Sequence, residues 1–202
     1  MTGDRTPATL QAVYAAFESL KADFRDGRLP VIAGRMAGAA AVWGERLSSL
    51  YRTDARADLQ RRDMLTRFWV LRYRGMPEPA DLTGAPSGAV FVMAFTSFPY
   101  LDVLMDSWGL GDLTEPAEAM GPFKLQCLLD GVDEGFELTA EKAPAGGWRF
   151  DLMPLYHAKA LALETFVSSE FGGDFDRFFA HYVAEHDLDF HMDQAWAPLT
   201  GA

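Results

Sequence analysis

The stretch Phe123–Met153 constrains the chain most, because its apolar residues recur at every second position across consecutive segments. Phe123, Leu125, Cys127 and Leu129 alternate with Lys124, Gln126, Leu128 and Asp130. A strand turns successive side chains to opposite faces, whereas a helix needs apolar residues three and four apart. Asp130-Gly131 then supplies a turn pair that tolerates positive φ. Phe136, Leu138 and Ala140 alternate with Glu137, Thr139 and Glu141, and Pro144-Ala145-Gly146-Gly147 makes a second turn. Trp148, Phe150 and Leu152 resume the apolar face against Arg149, Asp151 and Met153. The pattern predicts an antiparallel meander of about three strands, with the other segments packed around it.

Helical periodicity dominates elsewhere. Thr6-Pro7 opens a helix whose stripe of Leu10, Val13, Tyr14, Phe17, Leu20 and Phe24 should lie on the sheet, and Asp26-Gly27 ends it. A short helix over Leu29–Met36 follows, then a longer one over Ala39–Asp58 with Val42, Trp43, Leu47, Leu50 and Tyr51 on one side. Asp63 caps a further helix that runs to about Arg74, beyond which Pro77 and Pro79 break the chain. In Val90–Phe98 the two periods tie, and Met93-Ala94-Phe95 tips the reading to helix; Leu101–Trp108 also reads as helix. After Pro154, helices are expected over Tyr156–Phe171, with Leu161, Thr165 and Phe166 inward, and over Phe175–Glu185, the two parted by Gly172-Gly173. The tail from Asp187 is irregular and tied down by Phe190 and Trp196. The expected class is α+β: a small bent antiparallel sheet covered by helices, with a core over residues 1–153 and a helical extension over 154–202 on the same domain.

With 202 residues, 49% of them apolar, the chain can bury one substantial core. Eighteen basic against 29 acidic residues leave a formal charge of −11, which argues against a nucleic-acid partner held through phosphates. The same charge suits a soluble cytosolic protein or one that meets a basic partner, and acidity that merely keeps the surface soluble is the favoured reading. A single Cys127 on an apolar strand face excludes an intrachain disulfide and a multi-cysteine zinc site, and reads as a small core hydrophobe. Met1–Thr6 carries no apolar leader, and the longest uncharged apolar run, Gly88–Tyr100, is too short to span a bilayer. The expectation is a cytoplasmic protein with no membrane contact.

Few residues have the company that chemistry demands. His181, Glu185, His186, Asp187, Asp189, His191 and Asp193 have a metal-like composition, but His181 and His186 point about 140° apart on a helix and only His181 with Glu185 shares a face. A solvated acidic helix end is favoured, and neither metal nor cofactor is expected. Asp151 and His157 would make an acid–base pair only if both faced one pocket; strand alternation instead turns Asp151 to solvent or to the cap of a neighbouring helix. Seven arginines against three aspartates leave residues 52–74 at +4, and six acids against Arg177 leave residues 174–193 at −5. These patches could be complementary within one molecule or across a homodimer, although interspersed Arg and Asp more often make a solvated face. Arg72, beside Trp69, is expected to be partly buried against an acid. The stripe Phe171, Phe175, Phe178, Phe179 and Tyr182 reads first as core. If the interior held a pocket, Trp69, Phe95, Trp148, Phe150, Phe175, Phe179 and Tyr182 would line it. Nucleotide-binding glycine loops, the esterase elbow and metalloprotease motifs are all absent from the sequence.

The amphipathic first helix, the bend Phe24-Arg25-Asp26-Gly27-Arg28 and the strand Gly146-Gly147-Trp148-Arg149-Phe150-Asp151-Leu152 together resemble the nuclear transport factor 2-like (NTF2-like) superfamily over roughly residues 8–153. The resemblance implies a strongly curved sheet wrapped by its first helices into a cone. Fewer strands than usual and the extension from Tyr156 depart from that pattern. The superfamily holds isomerases, dehydratases and binding modules alike, so the resemblance does not choose among them. The leading expectation is a non-catalytic cytosolic binding protein for a small apolar ligand or a protein partner. Its rivals are a cofactor-free isomerase or dehydratase using Asp151, His157, Tyr156 or Asp102, and an acidic inhibitor of a basic partner.

Overall fold

The computed structural model describes residues 6–78, 82, 87–96, 105–115 and 122–199. The fold is α+β. In chain order it contains α1 (Thr6–Arg25), α2 (Leu29–Gly34), α3 (Gly38–Thr53), α4 (Arg56–Leu59), α5 (Met64–Arg74), α6 (Ser87–Thr96), the strands β1 (Trp108–Leu113), β2 (Phe123–Leu129), β3 (Val132–Lys142) and β4 (Trp148–Asp151), and then α7 (Met153–Phe171), α8 (Phe175–Glu185) and α9 (Met192–Ala195). The chain divides into two compact units: residues 1–44 with 86–154, and residues 45–85 with 155–202. No helix among the described residues is long and apolar enough to cross a membrane.

The first unit is built on the meander, an antiparallel sheet in the order β1-β2-β3-β4. Asp130 and Gly131 take φ of 50° and 80°, the two-residue turn whose twist matches the strands it joins. Phe123, Leu125, Cys127, Leu138, Ala140, Trp148 and Phe150 are buried, while the intervening residues of these strands are half-buried. The alternation therefore selects the core face as expected. On that face the Phe17 ring of α1 meets Phe150 edge-on at 5.3 Å. Gly27, at φ 65°, closes α1: its N–H reaches the Phe24 carbonyl and the Arg28 N–H reaches that of Asp23, the paired bonds of a left-handed helix stop. The chain then runs back along β4, with Phe150 N–H bonded to the Arg35 carbonyl at 2.8 Å and Ala37 N–H to the Phe150 carbonyl at 3.0 Å.

One reading changes here. Residues 105–107 are helical, but Trp108 opens a fourth strand where a helix was expected to end; residues 101–104 lie outside the described residues. Gly109 and Gly111 lower helix propensity at this point, and Gly111 sits so close to β2 that a Cβ there would press on the Gln126 side chain. The tied segment is helix, as α6, where Phe91 stacks on Phe95 one turn later at 5.5 Å.

The second unit is helical. Asp63 accepts the Thr66 N–H at 2.8 Å and starts α5, as its cap position predicts; Asp174 does the same for α8 through the Arg177 N–H at 3.0 Å. The expected long third helix is interrupted: α3 stops at Thr53, Ala55 is extended, and α4 begins at Arg56. Asp54, buried at the break, accepts from Arg62 Nε at 3.0 Å. In α7, Leu161 and Phe166 were expected inward, but they are 65% and 47% exposed, and Thr165 is exposed too. The buried residues are Met153, Leu155, Tyr156, Ala160 and Val167, of which Tyr156, Ala160 and Val167 track the helical turn; Leu161 follows Ala160 by about 100° and so leaves the covered side. The aromatic stripe of α8 is core: Phe68 of α5 lies 5.6 Å from Phe179 and 4.9 Å from Tyr182, and Phe175 stacks on Phe179 at 5.9 Å.

Candidate functional site

Within the second unit a cleft of about 160 Å³ opens where α4, α8 and α9 meet, lined by Arg56, Asp176, Phe179, Ala180, Met192, Asp193 and Trp196. Local chemistry presents each wall. The Asp174 cap starts α8 so that Asp176, Phe179 and Ala180, at i, i+3 and i+4, share one face. Met192 and Asp193 lie four and three positions before Trp196, the residue that closes the short α9. That helix is anchored from both sides: the His191 N–H bonds the Gly75 carbonyl at 2.7 Å, Ala195 is fully buried, and the Leu199 N–H bonds the Arg52 carbonyl at 3.0 Å.

Arg56 ties the three walls together. Its Nη2 donates to Asp176 Oδ2 at 2.7 Å, and the guanidinium carbon sits 4.5 Å from the centroid of the Trp196 ring. The ion pair is half exposed, so it contributes little to stability, but the stacked guanidinium orients the indole. Asp193 on the same rim makes no ion pair among the described residues. The floor, Phe179 with Met192, is apolar. The lining holds no Ser, Cys, Lys, Tyr or His.

The residues singled out from sequence fall in separate places. Phe95, Trp148 and Phe150 belong to the first unit; Trp69, Phe175, Phe179 and Tyr182 belong to the second, where only Phe179 also faces the cleft. Asp151 is a cap: its carboxylate accepts the N–H groups of Ala39 at 3.3 Å, Ala40 at 3.2 Å and Met153 at 3.1 Å, serving the starts of α3 and α7. His157 is exposed on α7 in the other unit, and Asp102 lies outside the described residues. Tyr156 is buried, its hydroxyl 2.8 Å from Thr66 Oγ1 and donating to Asp63 at 3.1 Å, so it completes the α5 cap. His181 and Glu185 approach to 3.7 Å, and no group of three or more His, Cys, Asp or Glu among the described residues is arranged to hold a metal.

Among the arginines, Arg72 donates to the Tyr182 hydroxyl and not to the expected acid. Burial raises the Tyr182 phenol, and the Arg72 charge offsets part of that rise. The fully buried arginine is Arg74, which sequence reasoning passed over. Its Nε and Nη2 donate to the carbonyls of Tyr51 at 2.7 Å and Leu50 at 2.8 Å, closing the end of α3, and burial pushes the guanidinium down to about 10. Arg67 lies over the Phe175 ring at 4.5 Å and is likewise lowered by burial, with Asp176 and Asp63 opposing the shift. The opposite charges of residues 52–74 and 174–193 were the signal that could have found the cleft, since Arg56 and Asp176 join them within one chain. No family model, curated protein or solved structure compared with the chain matches it.

Proposed function

We propose that this chain is a cytoplasmic, non-catalytic binding protein that recognises a protein partner through the α4–α8–α9 cleft. The observation that carries the reading is the pairing of size with lining. About 160 Å³ is below the roughly 300–1,000 Å³ of sites that enclose whole small molecules, but it suits one side chain of a docked segment. The apolar walls are an indole, a thioether and a phenyl ring, the residue types that anchor protein interfaces. An NTF2-like cone formed by the first unit belongs to the same proposal. What supports it is that the Gly-Gly-Trp motif leads into β4 and that α1 lays its apolar stripe on the sheet.

The test is a paired screen of wild type and Trp196→Ala against arrayed peptides and against a library of small metabolites. Peptide binding that the Trp196→Ala variant loses supports the reading. Binding of metabolites alone, unchanged in that variant, overturns it.

A further inference from the structure

We propose that the cleft receives one lysine or arginine side chain from an extended segment of the partner. This deepens the binding reading above and rests on it.

The charged side chains that line the cleft sum to one negative charge. Asp176 and Asp193 supply two carboxylates, and Arg56 supplies one guanidinium, which Asp176 Oδ2 already holds at 2.7 Å. That leaves Asp193 exposed at the rim with no ion pair among the described residues. Below it, Met192 and Phe179 offer an apolar wall. A long cationic side chain has the matching form: methylenes that lie along apolar surface and a charged head that stays at the rim. The cleft already shows this selectivity in cis, because the ring of Trp196 carries the Arg56 guanidinium at 4.5 Å. The chain's −11 charge would draw a basic segment toward it. An acidic side chain would instead meet Asp193 and gain only an arginine that is already paired.

Arg56 then has a second consequence. It neutralises half of the carboxylate charge and covers one face of the indole, so it limits how tightly a second cation is held. Removing its charge frees the ring face and takes away the guanidinium hydrogen-bonded to Asp176.

The experiment uses the full chain and blocked pentapeptides, acetyl-Gly-Gly-Xaa-Gly-Gly-amide, with Xaa as Lys, Arg, norleucine or Glu. Binding is followed through the Trp196 indole N–H signal in NMR spectra, assigned with Trp196→Phe. The Lys and Arg peptides are expected to move that signal with a Kd of about 1 mM, weak because one side chain is the only anchor. Norleucine and Glu peptides are expected to leave it in place. Asp193→Asn should weaken the Lys peptide about tenfold and Arg56→Met should tighten it about tenfold. Raising the salt to about 1 M should abolish the shift in wild type, a reading that needs no variant. Equal binding of Lys and norleucine, preference for Glu, unchanged affinity in Asp193→Asn, or no shift at saturating Lys peptide each overturns the inference. If other peptides bind in the array and lose binding in Trp196→Ala while the basic ones do not, this inference fails and the protein-binding reading stands. If only metabolites bind, both fail.

Discussion

The ring of Phe190 lies flat on Gly75, so close that a methyl group at position 75 would overlap three of its ring atoms. Gly75 caps the end of α5, and its carbonyl holds the His191 N–H at 2.7 Å. The φ of Gly75 is −83°, which any residue can adopt, so the requirement for glycine here is one of space. Gly75→Ala should therefore lower stability by about 1–3 kcal/mol through overpacking, read by urea denaturation. It should also speed proteolysis within residues 187–199, since Phe190 anchors α9. Unchanged stability and cleavage would show that the ring is free to move aside.

Asp151 should act as a helix cap. Removing its carboxylate strands three backbone N–H groups at the starts of α3 and α7. Asp151→Ala is expected to cost about 1–2 kcal/mol in thermal or chemical unfolding, and Asp151→Asn, which keeps one acceptor oxygen, less than that. A neutral Asp151→Ala would exclude the capping role.

The buried thiol gives a pH prediction. Burial, helped by Glu134 and Asp133, pushes Cys127 up from 9.0 to about 12. The folded protein thus holds this proton more tightly than the unfolded chain. The resulting stabilisation is complete below pH 9.0 and is lost as the pH rises through about 12. The stability difference between wild type and Cys127→Ala should shrink over that window, and native Cys127 should resist iodoacetamide at pH 8.5 until the protein is unfolded. Rapid alkylation of the native protein would contradict the burial.

The two sides of α7 should respond in opposite ways. Leu161→Lys alters a side chain that is already 65% exposed and should shift stability by no more than about 0.5 kcal/mol. Val167→Ala empties a fully buried position and should cost about 1–3 kcal/mol. The reverse order in a denaturation series would place Leu161 inside.

Much of the local structure was legible in the chain. The faces of β2, β3 and β4, the Asp130-Gly131 turn, the stop at Gly27, the cap at Asp63 and the break at Gly172-Gly173 all follow from residues within a few positions of one another. So does the burial of Val13, Phe17, Leu20 and Phe24 along α1. Asp151 was narrowed to solvent or a cap, and the choice between them needed the position of Ala39 and Ala40. β1 was hidden because the alternation of Trp108 and Leu110 with Gly109 and Gly111 is too short to read and stops at Asp112.

By itself the sequence determined the α+β class, the strand faces and the starts of α1, α5 and α8, because backbone dihedrals, turn residues and hydrophobic period act over short separations. Tertiary structure alone decided what those elements present. It brought Arg56, Asp176 and Trp196 into one cleft from segments more than a hundred residues apart. It buried Arg74 against two helix-end carbonyls and left Leu161 in solvent. Such choices depend on which surfaces pack together, and periodicity limits which side of a helix is apolar without naming what covers it.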